Sequence, residues 1–154
     1  NDGIKYTERR PLTRENMFAC REIPTNQEAQ FAGDHLTYES SWSWPKPVQP
    51  GGPKVILGGA AGPKTIKDIV EFCDGWMPIS GRQDLAGPIH EVRQAAEDAG
   101  RDPAEIEFGQ FGTPGKRDVL ESLEEAGLSR AVLWVPPEGP DTVLPLLDSY
   151  TELL

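Results

Sequence analysis

Residues 1–52 and 53–154 carry different patterns of apolar and polar positions. In the second segment, short β-rich runs over 54–57, 75–79, 106–111 and 130–135 alternate with stretches of helical period. Ile66, Ile69, Val70 and Cys73 fall at i, i+3, i+4 and i+7, which makes one apolar stripe with Lys64, Lys67, Asp68 and Glu71 on the other side. Leu85, Ile89, Val92, Ala96 and Ala99 repeat that spacing. There Pro88 suits a first helical turn, and Gly100 is placed to end the helix. Val119, Leu120 and Leu123 mark a third helix before Gly127. Asp141 is placed to cap a fourth, with apolar positions Val143, Leu144, Leu147, Tyr150 and Leu154. The first segment is patterned more weakly. Met17, Phe18 and Ile23 predict a helix over 13–22 that Pro24-Thr25-Asn26 breaks, and Ala32-Gly33-Asp34-His35 reads as a turn between two extended pieces. Pro45, Pro47 and Pro50 then favour an extended, polyproline-like path, on which Trp42 and Trp44 need a surface to cover.

Strand and helix in strict alternation imply parallel pairing through right-handed crossovers, because no tight turn reaches a parallel neighbour. The class is α/β. Val55-Ile56-Leu57 and Ala131-Val132-Leu133-Trp134-Val135 are apolar on consecutive positions, so both sheet faces must be covered. The helices cover one. Four βα units do not close a barrel whereas eight do, so the other face and two sheet edges call for a partner beyond these four units. The expectation is half of something larger. The chain starts at Asn1 and not at Met, which points to processing or truncation upstream.

Length and charge narrow the function. At 154 residues there is room for one domain. The 15 Lys+Arg against 25 Asp+Glu leave a net charge of −10 with no basic cluster, which makes nucleic acid a poor partner. At 37% hydrophobic residues the composition is that of a globular chain and not of an acidic disordered tail. No apolar run approaches the roughly 20 residues of a membrane helix, so a soluble chain with no membrane partner is expected. Cys20 and Cys73 make no disulfide framework, and the N-terminus has no signal-peptide pattern, so a reducing cytoplasm is the expected compartment.

The segment with most chemical content is Val55-Ile56-Leu57-Gly58-Gly59-Ala60-Ala61-Gly62-Pro63-Lys64-Thr65-Ile66: a buried strand, a run of small residues, then a helix start. Small side chains let a ligand approach the backbone, and free N–H groups at a helix N-terminus attract an anion. Lys64 and Thr65 in the first turn add a charge and a hydroxyl. The competing reading is a tight turn that needs glycine only for its geometry, and position alone does not separate the two. In Asp74-Gly75-Trp76-Met77-Pro78, Trp76 either flanks a planar cofactor at the end of its strand or is a packed core aromatic. Asp74 reads as a cap or turn residue. His35 and His90 read as solvated surface, as do Glu121, Glu124 and Glu125. No metal-ligand spacing links the histidines to the cysteines, so no metal site is expected, and no Ser–His–acid arrangement stands out.

Three segments in series, Trp42-Ser43-Trp44-Pro45-Lys46-Pro47-Val48-Gln49, Pro53-Lys54-Val55-Ile56-Leu57-Gly58-Gly59 and Asp74-Gly75-Trp76-Met77-Pro78, resemble the bacterial luciferase-like family of flavin- and deazaflavin-dependent oxidoreductases. Glu28-Ala29-Gln30-Phe31-Ala32-Gly33, Gly100-Arg101-Asp102-Pro103 and the last strand and helix extend the likeness over nearly the whole chain. One departure is Pro24, where relatives often carry an aromatic before the Thr. The resemblance implies an eight-stranded (β/α) barrel, a TIM-type fold, of which this chain supplies the C-terminal half as about four parallel βα units behind an irregular N-terminal segment. It also implies coenzyme F420 or FMN at the C-terminal end of the strands, with the phosphate near the small-residue turn. Gly58, Gly59 and Ala60 match the phosphate side of that turn, with Ala61, Lys64 and Thr65 beside them, and Trp76 matches the aromatic near the pocket. Nothing here matches the residues such enzymes contribute from their early strands, so the catalytic residues are unknown.

The expected function is therefore a portion of a luciferase-like oxidoreductase or monooxygenase. It would use F420 or reduced flavin for hydride transfer or oxygenation of a small organic substrate, with a homo-oligomer or the missing N-terminal barrel half as its protein partner. The alternative is a non-catalytic half-barrel that binds a partner or a second copy through its open sheet face.

Overall fold

The structure is a computed structural model that describes residues 3–81 and 84–153; Leu154, the last apolar position expected of the fourth helix, lies outside them. The chain divides into two compact units, residues 1–54 and 55–154.

In the first unit a 3-10 turn, Tyr6–Glu8, leads into α1, Arg9–Thr25. This helix is longer at both ends than its apolar positions predict. Pro24 sits in its last turn and does not end it: Asn26 N–H still reaches the Glu22 carbonyl, and the Thr25 hydroxyl donates to the Arg21 carbonyl. The lost proline donor belongs to a turn that other groups cap. The two extended pieces form an antiparallel hairpin, β1 (Ala29–Ala32) and β2 (Thr37–Ser41). The hairpin is fixed to α1 by a group that the sequence pattern hides. Glu15 is buried at mid-helix, and its carboxylate accepts the N–H groups of Asp34 (3.0 Å), His35 (2.8 Å) and Leu36 (3.0 Å) at the hairpin tip. Those donors hold its pKa below the usual 4.5, His35 N–H foremost, against the opposing pull of burial. Gly33 leaves room there for that carboxylate, which a Cβ would displace. Beyond the hairpin Lys46 closes the end of α1 by donating to the Ile23 and Asn26 carbonyls. The Trp44–Pro45 peptide is cis, and Trp42 and Trp44 are exposed.

In the second unit four parallel strands lie in the order β3 (Ile56–Leu57), β4 (Gly75–Trp76), β5 (Glu107–Thr113) and β6 (Arg130–Leu133). The helices α2 (Pro63–Phe72), α3 (Ala86–Asp98), α4 (Arg117–Glu125) and α5 (Pro140–Thr151) follow them in turn. The early strands are shorter than the apolar runs. At β3 the Val55 N–H goes to the Asp74 carboxylate (2.7 Å) and not to a ladder carbonyl. At β4 Pro78 has no N–H to give, so pairing resumes only at the single Ile79–Phe111 bridge. Two helices stop as glycine predicts. Gly100 and Gly127 take φ of +74° and +91°, and the N–H groups of Arg101 and Leu128 reach back to the Ala96 and Leu123 carbonyls. Asp141 departs from expectation: Gly139 is the cap of α5 and Asp141 lies inside its first turn, where its charge still meets the positive end of the helix.

The core lies between the sheet and α2 and α3, built from Ile69, Trp76, Ile89, Val92, Ala96 and Phe108. The opposite face can be read from the glycines. A Cβ on Gly75 would press on the Ile56 and Glu107 side chains, and one on Gly109 on Met77 and Arg130, so these six positions share one side of the sheet. Toward the C-terminal ends of the strands Ile79, Phe111 and Trp134 are 45%, 52% and 56% exposed. One covered face and one open face is the arrangement of βα units that have not closed into a cylinder.

Candidate functional site

The turns after β3, β4, β5 and β6 all emerge at one end of the parallel sheet, the end at which α/β proteins gather binding groups. The turn from Gly58 to Gly62 is the most open of them. Gly58, Gly59 and Ala60 are exposed, and a Cβ built on Gly59 or Gly62 would have nothing within 4 Å. Gly59 has φ +104°, a conformation that needs glycine. Gly62 caps α2 with its backbone and no side chain, and Pro63 takes the first helical position. Lys64 and Thr65 follow in the first turn, Lys64 exposed and Thr65 with its N–H on the Gly62 carbonyl. Among the described residues the N–H groups of Gly59, Ala60 and Ala61 donate to no other group. Three N–H groups, Lys64 and the positive end of a ten-residue helix therefore lie within one short, largely exposed stretch of backbone. The residues present fit a phosphate group: it needs donors, positive potential and no side chain in its way.

Gly58, Gly59, Ala60, Ala61, Lys64 and Thr65 thus stand together, as their spacing suggests. Trp76 does not join them as a ligand contact. It is 1% exposed and packs among Ile69, Leu85, Ile89 and Val92 on the helix side of the sheet, so its ring has no face to offer a planar cofactor. Of the two readings of Trp76, the packed aromatic is the one its placement matches. Its indole N–H donates to the Gly59 carbonyl at 2.9 Å. The rest of the Asp-Gly-Trp segment is equally structural. Asp74 exchanges two bonds with Val55, carboxylate to N–H and N–H to carbonyl, each 2.7 Å. Gly75 leaves room for the Glu107 carbonyl, which a Cβ would approach to 2.5 Å. Sequence reasoning missed the turn after β4, where Ser80 N–H bonds the Phe111 carbonyl at 2.8 Å and Gly81 has φ +73°. It also missed the Arg130–Glu107 ion pair, 2.7 Å, at the opposite end of the open face. A glycine following the apolar run was the available signal for the first. Among the described residues no group of three or more His, Cys, Asp or Glu is placed to hold a metal, and His35 and His90 are exposed.

Fold and strand order together define a segment of a TIM-type α/β barrel. Residues 1–140 match the model of the luciferase-like monooxygenase family, and the chain belongs to that family. It is 31% identical over 141 residues to an uncharacterized protein of Mycobacterium tuberculosis, a match that covers 90% of this chain and 49% of that protein. The chain thus spans about half the length of the curated relatives it matches. Its fold is shared with the coenzyme F420-dependent tetrahydromethanopterin reductase of Methanopyrus kandleri at TM-score 0.60 and 14% identity, over 89% of this chain and 60% of that one. An F420-dependent secondary alcohol dehydrogenase in complex with an F420-acetone adduct matches at TM-score 0.58 and 16% identity, over 99% of this chain and 56% of that one.

Proposed function

We propose that this chain is the cofactor-phosphate half of a luciferase-like oxidoreductase that uses coenzyme F420 or reduced FMN on a small organic substrate in the cytoplasm. The observation that carries this reading is the open Gly58–Gly62 turn at the start of α2, on the strand ends of a chain that belongs to this family. When bound, the cofactor supplies the two-electron chemistry through its ring. The residues of this chain bind and orient it: the N–H groups of Gly59, Ala60 and Ala61 hold the phosphate, Lys64 balances its charge, and Thr65 stands in the same turn. Holding the phosphate would fix one end of the cofactor, a contribution to orientation and not to bond breaking. Ile79, Phe111 and Trp134 near the rim would offer such a ring an apolar surface.

The test is anaerobic titration of a full-length form with F420 and, separately, with reduced FMN. Saturable binding of one of them is expected, and Gly59→Asp should abolish it by placing a carboxylate where the phosphate would lie. Saturable binding of neither cofactor overturns the proposal.

The same exposed Ile79, Phe111 and Trp134 favour a second reading, a non-catalytic half-barrel that pairs with another copy through this face. Sizing and absorbance of the purified chain separate the two. A discrete oligomer without flavin colour favours the binding module, and a compact monomer overturns it.

A further inference from the structure

We propose that Trp76 is a positioning residue for the anion-binding turn: its buried indole N–H, by holding the Gly59 carbonyl, aims the neighbouring Ala60 N–H at the rim. This rests on the phosphate reading of the turn given above.

The turn is poorly held by its own residues. It follows a strand of only two paired residues; Ala61 packs against the core cluster, but a Cβ on Gly59 would touch nothing. Such a backbone has many conformations to lose on binding an anion. The Trp76 indole ties its middle to the sheet at 2.9 Å, and Trp76 cannot itself drift, since it is 1% exposed within the core cluster. The consequence for the donors follows from peptide planarity. In a trans peptide the carbonyl oxygen of one residue and the N–H of the next point in opposite directions. The Gly59–Ala60 bond is trans, so a Gly59 carbonyl drawn inward to Trp76 turns the Ala60 N–H outward, away from the core. Asp74, two residues before Trp76 and just ahead of β4, grips Val55 immediately before β3. The Asp-Gly-Trp segment therefore brackets β3 on both sides, with the carboxylate fixing where the strand begins and the indole fixing where the turn points. Donors held in place before the ligand arrives bind it without an ordering cost.

The experiment is a titration of the 154-residue chain with inorganic phosphate, read by the amide resonances of Gly58, Gly59, Ala60 and Gly62 in wild type, Trp76→Phe and Leu85→Ala. Leu85 belongs to the same core cluster but makes no bond to the turn, so it controls for lost packing. Amide hydrogen exchange at Ala60 and Ala61 without phosphate reads the order of the turn directly, and is followed also in Trp76→His, which keeps a ring N–H, in case the phenylalanine variant folds poorly. The wild type should show saturable shifts. Trp76→Phe should weaken them by about fivefold or more, the size of one lost hydrogen bond, and speed exchange in the turn. Leu85→Ala should leave phosphate affinity unchanged, and Trp76→His should restore part of it. Equal weakening in Trp76→Phe and Leu85→Ala would reduce Trp76 to a packing residue and overturn the positioning role. So would wild-type affinity and exchange in Trp76→Phe, with the site reading left standing. A wild-type chain whose turn ignores phosphate overturns the site reading, and the positioning role with it.

Discussion

Replacing Gly75 with alanine should separate β4 from its neighbours. The new Cβ would lie 2.5 Å from the Glu107 carbonyl oxygen, 2.8 Å from Ile56 Cδ1 and 3.1 Å from Glu107 Cβ. An isoleucine tip can rotate away, but a strand carbonyl cannot. A carbon approaches an oxygen comfortably at about 3.3 Å, so β4 and β5 must part by roughly 0.8 Å. The Glu107 N–H to Asp74 carbonyl bond, now 2.9 Å, would stretch beyond hydrogen-bonding range, and the short β3–β4 ladder would bend with it. Two or three bonds weakened at about 0.5–1.5 kcal/mol each, together with disturbed packing around the fully buried Trp76, amount to about 2–4 kcal/mol. For a chain of this length that lowers Tm by about 5–15 °C. The assay is thermal unfolding followed by near-ultraviolet circular dichroism, which reports the buried indole. A variant that melts within about 1 °C of the wild type would show that β4 and β5 are not in the close register described, and would refute the argument.

Other expectations follow from single groups. Glu15 has a carboxyl pKa below 4.5 in the folded chain, so the hairpin latch is at full strength at neutral pH and weakens as pH falls through that lowered value. Protection of the Asp34, His35 and Leu36 amides, taken against their intrinsic exchange rates, should fall in acid, and Glu15→Gln should lower it likewise at pH 7; unchanged protection in both cases would exclude the latch. Arg101 donates one guanidinium nitrogen to the Ile69 (3.1 Å) and Val70 (2.9 Å) carbonyls at the end of α2. Arg101→Met should therefore cost about 1.5–3 kcal/mol in urea unfolding, and a loss under about 0.5 kcal/mol would make those bonds incidental. Gly127→Ala places a side chain at φ +91° against the Arg93 guanidinium and should cost about 1–2 kcal/mol by the same measurement, most of it backbone strain.

Much of this protein was legible along the chain because the signals are local. A helical period of 3.6 shows in Ile66, Ile69, Val70 and Cys73 whatever they pack against, and a glycine after the last periodic residue, as at Gly100 and Gly127, ends a helix by backbone geometry alone. Parallel pairing follows from loop length, and the small-residue turn is visible because glycine and alanine carry no side chain to misread. What the tertiary structure decided concerns bonds between residues far apart in the chain. Glu15 carries no signal in the sequence pattern, and its role appears only when the hairpin tip, some 20 residues later, brings it three N–H groups. Arg101 finds the Ile69 and Val70 carbonyls only once the end of α2 is beside it. Trp76 is an aromatic at a strand end in either reading; the side of the sheet it faces makes it a core residue with one hydrogen bond to give. Period and propensity are properties of neighbours in sequence, whereas facing and partnership exist only once the chain has folded back on itself.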